Sequence, residues 1–155
     1  MVCSFTGHRQ IPPEHVEPLR DLLRRAIEFA YEAGCRVFCS GGAIGFDSLA
    51  AREVILFRMT HPDVELKMLL PCIDQDRSWS ASQRDAYAYV LKNSNSVEYV
   101  CDEYTPSCMR KRNLRLAESC DIMIAYVGRS NSGSAQTMRF AKQMEKRVYN
   151  LYPSV

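Results

Sequence analysis

Short apolar runs alternate along the chain with longer segments in which apolar residues recur every three to four positions. The short runs have the length and composition of β-strands, and the longer segments have the period of helices buried on one face. The predicted strands cover residues 2–6, 36–40, 65–70, 96–100, 122–127 and 148–151. The predicted helices cover residues 14–34, 46–59, 82–92, 105–119 and 133–146. In the fourth helix we expect Thr105 as the N-cap and Pro106 at the first helical position.

Strict alternation of strands and helices predicts the fold class. Strands that are each followed by a helix form a mostly parallel sheet with helices on both faces, because right-handed crossovers connect them. We therefore expect an α/β protein with a Rossmann-like three-layer fold. The last strand is left open between a parallel and an antiparallel edge position. No repeat or linker interrupts the pattern, so we expect a single domain over residues 1–155.

The composition and charge limit the classes of protein to which this chain can belong. Of the residues, 46% are apolar and 25% are charged, as in ordinary globular proteins. No apolar run approaches the ~20 residues that cross a bilayer, and the N-terminus lacks the basic stretch and apolar core of a signal peptide. We expect a cytoplasmic protein without membrane contact. The formal net charge of +2 gives no general attraction to nucleic acid.

Seven cysteines are spread along the chain without CxxC spacing. Cys35 and Cys39 are spaced to share one face of a strand, which suits packing better than metal binding. We therefore expect reduced, buried cysteines. The sequence gives no reason to expect a metal site, a disulfide framework or a cofactor.

A glycine turn follows the second predicted strand and leads directly into the second helix. Ligands of open parallel sheets bind beyond the carboxyl ends of the strands, where such turns lie. Glycines leave backbone N–H groups uncovered and a helix N-terminus favours anions, so the turn is a candidate site for a phosphate or a carboxylate. The alternative is a tight connection only, with Asp47 as a helix cap. The candidate residues are Ser40, Gly41, Gly42, Ala43, Gly45 and Asp47.

A second turn of the same type, Ser132-Gly133-Ser134, follows the fifth predicted strand. Its backbone N–H groups and hydroxyls converge where a helix begins, so a phosphate is again the expected ligand. A flexible loop followed by an N-cap is the alternative. Because both turns are expected at one edge of the sheet, together they indicate a nucleotide-type small molecule.

A histidine and an arginine follow the first predicted strand, which we expect to be central. In the segment Gly7-His8-Arg9, Arg9 would pair with a phosphate, and His8 would bond a ribose or a base or act as an acid–base group. The alternative is that both side chains only cap the loop through backbone carbonyls.

The fourth predicted helix carries polar residues near the same edge. Asn113 lies on a face that is otherwise apolar, so it either clamps neighbouring loops or contacts the ligand. Arg110 and Arg112 flank that face, and either could reach the edge. Of the two, we assign Arg110 to the ligand.

Four motifs occur in a fixed order over nearly the whole chain. They are Ser4-Phe5-Thr6-Gly7-His8-Arg9, Ser40-Gly41-Gly42-Ala43-Ile44-Gly45-Phe46-Asp47, Met109-Arg110-Lys111-Arg112-Asn113 with Cys120-Asp121, and Ser132-Gly133-Ser134-Ala135. In combination they resemble the YpsA-like branch of the SLOG superfamily, which is named for its Smf/DprA-like and LOG-like members. The resemblance implies a Rossmann-like fold that binds nucleotides or their derivatives, often as a homodimer. It implies no established reaction for this branch.

Two groups of relatives suggest more definite activities. LOG-like enzymes cleave the N-glycosidic bond of nucleoside monophosphates with an arginine and a glutamate. Here Gly133-Ser134 matches the Gly-Thr of their Gly-Gly-x-Gly-Thr-x-x-Glu motif, Arg110 matches the arginine, and Thr137 replaces the glutamate. The missing carboxylate favours binding over hydrolysis, although Asp47 or Glu103 could substitute for it.

DprA-like relatives bind single-stranded DNA, which calls for a basic surface that this chain lacks overall. Nucleic acid is therefore not the expected partner. We expect a cytoplasmic nucleotide-binding protein, in the role of a sensor for example, with no catalytic residue assigned. An N-glycoside hydrolase, a DNA-binding protein and an interaction partner with a vestigial pocket are the alternatives.

Overall fold

Six strands and five helices follow one another in the order that the apolar pattern predicts. The computed structural model describes residues 1–155. The strands are β1 (Val2–Gly7), β2 (Val37–Ser40), β3 (Glu65–Leu70), β4 (Ser96–Tyr99), β5 (Ile122–Tyr126) and β6 (Arg147–Asn150). The helices are α1 (Val16–Glu32), α2 (Phe46–Arg58), α3 (Ala81–Asn93), α4 (Cys108–Ser119) and α5 (Gly133–Gln143). Short 3-10 turns lie at Pro13–His15 and Tyr152–Ser154.

All six strands are parallel, in the order β4-β3-β2-β1-β5-β6. β6 pairs with β5 in parallel register, with Val148 opposite Met123, so the last strand is a parallel edge strand. Helices cover both faces of this sheet. The predicted α/β, Rossmann-like architecture is therefore confirmed.

The chain changes its direction across the sheet at β1. It adds β2, β3 and β4 on one side of β1 and then returns to place β5 on the other side. The loops after β1 and β5 consequently lead to helices on opposite faces, which opens a crevice at the carboxyl edge. The candidate site lies in this crevice.

The apolar core is divided between the two faces of the sheet. α1, α2 and α3 pack on one face, where Leu23, Val54 and Val90 belong to the main cluster. α4 and α5 pack on the other face, where Ala117 and Ala141 share a smaller cluster. None of the helices is both long and apolar enough to cross a membrane.

Two helix boundaries differ from the prediction by three residues, and the others differ by two residues or fewer. α4 begins at Cys108, because the carbonyl of Thr105 accepts the Cys108 N–H at 3.1 Å in a turn that precedes the helix. The predicted N-cap at Thr105 and helical position of Pro106 are therefore wrong. α5 ends at Gln143, short of residue 146, because Glu145 has a φ of 60°, in the left-handed region where helices stop.

Cys35 and Cys39 lie on different faces of the sheet, so the prediction of a shared face is wrong. Cys35 precedes β2 and packs in the main core, whereas Cys39 packs with Leu69 and Leu116 on the face that α4 covers. Side chains alternate regularly only inside a strand, and Cys35 is outside it. Six of the seven cysteines are buried, and Cys101 is partly exposed.

Candidate functional site

An open cleft lies at the carboxyl edge of the sheet, between the loops that follow β1 and β5. Its volume is about 490 Å³, and residues at the starts of α2, α4 and α5 complete its walls. Most of the residues predicted to bind the ligand line this cleft. The lining residues are Gly7, His8, Arg9, Gln10, Ala43, Asp47, Met109, Arg112, Asn113, Arg129, Ser132, Gly133 and Ser134.

His8 connects the loop after β1 to the loop after β5. The backbone N–H of Gly128 donates to its Nε2 at 2.7 Å, and its Nδ1 lies 3.2 Å from the hydroxyl of Ser134. Because Nε2 accepts, the network assigns the proton of the neutral ring to Nδ1, which donates to Ser134. Burial lowers the pKa of His8, and the charge of Arg129 lowers it further. His8 is therefore a neutral side chain whose two nitrogens are both engaged within the protein.

The Ser132-Gly133-Ser134 turn forms the start of α5. Ser132 is the N-cap, and its hydroxyl accepts the N–H of Ala135 at 3.1 Å. The hydroxyl of Ser134 lies 3.1 Å from that of Ser132. The backbone N–H groups of Gly133 and Ser134 have no acceptor in the chain. These free donors sit at the positive end of the helix dipole and at the wall of the cleft, which suits an anion.

The glycine turn after β2 has a different role from the Ser132-Gly133-Ser134 turn. The N–H of Gly42 donates to the hydroxyl of Ser40 at 3.2 Å, and the N–H of Ala43 donates to the Asp47 carboxylate at 3.3 Å. Both amides are thus already satisfied inside the turn. Gly42 and Gly45 adopt φ values of 71° and 80°, which glycine tolerates best. Ser40 and Gly41 are buried beneath the cleft and do not line it.

Asp47 supports the glycine turn from the first turn of α2. It is only 5% exposed, and burial raises its pKa to about 6 despite the opposing charges of Arg112 and Arg9. The N-cap position of α2 belongs to Gly45, so Asp47 is not the cap. Its carboxylate lines the cleft, and no other acidic residue does so.

Arg112 is the buried cation of the site. It is 5% exposed and donates through Nη1 to the carbonyl of Gly41 and through Nε to Oδ1 of Asn113 at 3.0 Å. No ion pair within 4.0 Å includes its guanidinium. Burial lowers the pKa of Arg112, and the charge of Asp47 opposes that shift. The site therefore holds a desolvated positive charge whose neighbouring carboxylate, that of Asp47, lies beyond ion-pair distance.

Arg110, which the sequence assigned to the ligand, lies outside the cleft. It is exposed, and its guanidinium carbon is 5.3 Å from the ring centroid of Phe140 on the surface of α5. Arg112 occupies the position facing the cleft. The spacing along α4 could have identified Arg112 from the sequence. Arg112 lies four residues from Cys108 and from Leu116, so it shares their helix face, and the structure shows all three buried.

Asn113 holds the start of α4 against the start of α5. Its Nδ2 donates to the carbonyl of Gly133 at 3.5 Å, while its Oδ1 accepts from Arg112. This arrangement is the loop clamp that the sequence left open as one role of Asn113. The side chain also lines the cleft, where its amide can meet a ligand.

Thr137, which replaces the motif glutamate of the LOG-like enzymes, does not line the cleft. It is fully buried, and its hydroxyl donates to the carbonyl of Gly133 at 3.0 Å. Glu103 also lies outside the cleft lining. A carboxylate that assists bond cleavage in this cleft would therefore have to be Asp47.

A narrow apolar slot, with a volume of about 150 Å³, adjoins the cleft between the start of α2 and the helix α3. Arg9 and Ala43 line both cavities, so the slot and the cleft adjoin at these two residues. Gly42 and Gly45 line the slot and not the cleft. The other residues that line the slot are Ile44, Ser48, Trp79, Gln83, Ala86, Tyr87 and Val90.

Two bacterial relatives match most of the chain at low identity. The SPbeta prophage-derived protein YoqJ of Bacillus subtilis (strain 168) is 26% identical over 130 residues, which are 75% of this chain and 76% of that protein. A UPF0398 protein of Bacillus thuringiensis (strain Al Hakam) is 22% identical over 139 residues, which are 88% of this chain and 76% of that protein.

Two solved structures of DNA processing protein A have the same fold. The Helicobacter pylori protein, described for its single-stranded DNA binding mode, has a TM-score of 0.65 at 21% identity and matches 96% of this chain. The Streptococcus pneumoniae protein has a TM-score of 0.67 at 16% identity and also matches 96%. This chain spans 63% and 49% of those two chains. At these identities, the likeness shows the fold alone.

The family assignment comes from a match over nearly the whole chain. The YpsA family model, described as the YspA SLOG family, matches residues 7–153. That range includes the loops after β1, β2 and β5 and the start of α4, so it contains all the walls of the cleft. It agrees with the resemblance that the four sequence motifs carry. This chain belongs to the YspA SLOG family.

Proposed function

We propose that the cleft binds the phosphate and ribose of a nucleotide or nucleotide derivative. The observation that carries this proposal is the buried guanidinium of Arg112, which has no carboxylate within ion-pair distance. A buried charge is costly unless it is paired, and a bound anion would supply the pairing. A guanidinium matches the geometry of phosphate oxygens through two parallel hydrogen bonds.

The other charges around the cleft support an anionic ligand. Arg9 and Arg129 line the cleft from its exposed side, whereas Asp47 is the one acidic residue in the lining. Since burial raises the pKa of Asp47 to about 6, a fraction of its carboxyl is protonated near neutral pH. The lining is therefore net positive. Such a cleft attracts phosphate groups from solution.

The start of α5 is the proposed position of the phosphate. The free N–H groups of Gly133 and Ser134 and the hydroxyls of Ser132 and Ser134 belong to residues that line the cleft, as Arg112 does. This combination of helix N-terminus, hydroxyls and guanidinium is typical of phosphate sites in α/β folds. The glycine turn after β2 contributes Ala43 to the lining, and the amides of Gly42 and Ala43 are already satisfied within the turn.

Binding without turnover is the proposed activity. N-glycosidic cleavage needs a carboxylate near the ribose to stabilise positive charge in the transition state. The motif position for that carboxylate is the buried Thr137, and Asp47 accepts a backbone N–H within the glycine turn. We infer that Asp47 holds the turn in place and does not act on the substrate.

Single-stranded DNA is the second candidate ligand. The structural likeness to the Helicobacter pylori protein described for its single-stranded DNA binding mode favours it, as does the row of Arg9, Arg112 and Arg129 along the cleft. A strand of DNA presents the same phosphates as a free nucleotide. It would also need contacts beyond the cleft, and its affinity would fall steeply with salt.

Self-association is part of the same proposal, because the family resemblance implies a homodimer. Phe29 and Tyr149 form an aromatic pair on the surface, with ring centroids 5.2 Å apart and each side chain more than a third exposed. Aromatic residues are enriched in subunit interfaces. Sedimentation equilibrium should give twice the monomer mass, and Phe29→Asp should return it to the monomer mass.

A thermal-shift screen tests the proposed function. The ligands are nucleoside monophosphates, cyclic nucleotides, NAD, ADP-ribose and a short DNA oligonucleotide, with chromatography for free base in parallel. A nucleotide at ~100 times its Kd should stabilise the fold by about 2.7 kcal/mol. Stabilisation without base release supports a binding protein, and base release would show a hydrolase. Stabilisation by the oligonucleotide alone would favour DNA, and no stabilisation by any ligand would contradict the proposal.

A further inference from the structure

The apolar slot beside the cleft is lined by two aromatic rings and is not explained by phosphate binding. We infer that it holds the base of the nucleotide whose phosphate and ribose lie in the cleft. This inference rests on the proposed function and adds the place, and the chemical class, of a second contact. It assigns the slot to a planar heterocycle attached to the ligand's ribose.

The position of the slot relative to the cleft fits a single ligand. Arg9 and Ala43 line both cavities, so the two are direct neighbours. A nucleotide has a charged end and a planar apolar end joined by a sugar. The polar cleft and the apolar slot, in contact at Arg9 and Ala43, present the same sequence of environments.

The walls of the slot suit a planar ring. Trp79 and Tyr87 meet at 72° with centroids 5.1 Å apart, and Ala86 and Val90 add aliphatic surface from α3. Ser48 and Gln83 supply polar groups among these apolar walls. Aromatic side chains stack on the faces of bases, and polar groups bond their edges.

A hydrogen-bond network connects the slot to the buried cation. Arg112 donates to the carbonyl of Gly41, and Nε2 of Gln75 lies 3.4 Å from the same oxygen. Nε2 of Gln75 also donates to the hydroxyl of Tyr87 at 3.0 Å. One carbonyl therefore holds both the guanidinium of the cleft and an aromatic wall of the slot. This connection keeps the two parts of the proposed site in a fixed relation.

A second aromatic recess borders the cleft on the side of β5, but it suits a base less well. Tyr126 and Tyr152 line it together with His8, Gln10 and Arg129. Ile11 and Pro12 also line it, but polar groups form a larger share of its walls than of the slot's, and the hydroxyl of Tyr126 is already bonded to His15 at 2.7 Å. The slot offers more apolar surface to a ring, so it is the assigned position of the base.

The single tryptophan gives a direct readout of this contact. Trp79 is the only tryptophan in the chain, so the intrinsic fluorescence reports on the slot. AMP, GMP, CMP and UMP are each compared with ribose 5-phosphate, which has the sugar and phosphate but no base. At least one nucleotide should quench Trp79 and bind about tenfold or more tightly than ribose 5-phosphate, because a base stacked on an aromatic ring adds affinity. Ribose 5-phosphate should bind without changing the fluorescence.

Replacing two alanines on α3 by leucine, one in the slot and one outside it, completes the test. Ala86→Leu fills the slot and should reduce nucleotide affinity to that of ribose 5-phosphate, while ribose 5-phosphate binding stays unchanged. Ala88→Leu, on the exposed side of the same helix, should change neither. Equal affinities of nucleotide and ribose 5-phosphate, or no effect of Ala86→Leu, would overturn the inference and leave the proposed function standing. If neither ligand binds, the proposed function fails as well.

Discussion

Arg112 and Asp47 approach the same glycine from two directions without forming an ion pair. A Cβ built on Gly41 would lie 2.6 Å from Nη1 of Arg112 and 3.0 Å from Oδ2 of Asp47. A side chain at this position would therefore collide with the guanidinium and crowd the carboxylate. The two charges are held close to each other by a backbone segment with no side chain. Arg112, which has no ion-pair partner, lines the cleft, whereas the carboxylate of Asp47 accepts the N–H of Ala43.

The buried carboxyl of Asp47 should make stability depend on pH. Its pKa is raised from 3.8 to about 6 in the folded protein, so the folded state holds this proton more strongly than the unfolded state. The free energy of unfolding should consequently fall as pH rises from about 4 to about 6. By linkage, a shift of this size corresponds to at most about 3 kcal/mol.

Asp47→Asn isolates this contribution, because asparagine does not titrate. Urea unfolding of both proteins at several pH values between about 4 and 8 should show the variant gaining stability relative to the wild type as pH rises through that window. A stability difference that stays constant with pH would contradict the raised pKa.

The ring of His8 should be neutral with its proton on Nδ1. Nitrogen NMR can test this directly, since the chain has only three histidines. We expect the Nδ1–H tautomer and a pKa below 6.5, because burial and Arg129 disfavour the charged form. A resonance with the proton on Nε2 would show that Gly128 does not donate to this ring.

His8→Leu should remove the acceptor of the Gly128 N–H and lower stability by about 1–3 kcal/mol at pH 8. The pKa of His8 is lowered in the folded state, so its stabilising effect is complete above 6.5 and is lost as pH falls through the folded pKa. The stability difference between wild type and variant should therefore shrink on acidification. If the stability difference between wild type and variant grows on acidification, the lowered pKa of His8 is contradicted.

The two glycine turns should differ in their tolerance of a side chain. A Cβ on Gly45 would lie 2.2 Å from the backbone oxygen of Arg9, and Gly45 also has a positive φ. A Cβ on Gly133 has Asn113 Nδ2 as its nearest neighbour, at 3.7 Å. Gly45→Ala should cost more than about 2 kcal/mol, whereas Gly133→Ala should stay within about 0.5 kcal/mol in urea unfolding. Equal losses in the two variants would contradict the geometry of the turns.

The sequence was sufficient to predict the alternating elements, the parallel sheet and the edge at which the cleft lies. The reason is that apolar periodicity depends on burial, and the position of a site in an open parallel sheet follows from topology. His8, Asp47 and Asn113 were found from their positions at strand ends and helix starts, and each of them lines the cleft.

The roles of individual groups were harder to predict. Arg110 and Arg112 both flank the apolar face of α4, and the sequence alone led to the choice of Arg110. The packing of α4 against the glycine turn decides between them, because Arg112 donates to the carbonyl of Gly41. Likewise, the sequence around Gly42 does not show that Ser40 and Asp47 take up the amides of the turn.

Calorimetric titration of the tightest-binding nucleotide into Arg112→Ala and Arg110→Ala tests whether the nucleotide site is built on Arg112. The two arginines are two positions apart on α4, but only Arg112 faces the cleft. Loss of one charge-assisted contact at Arg112 should weaken binding about tenfold or more, with Arg112→Lys retaining part of the affinity. Arg110→Ala should bind like the wild type. Wild-type affinity in folded Arg112→Ala, or loss of binding only in Arg110→Ala, would contradict a nucleotide site built on Arg112.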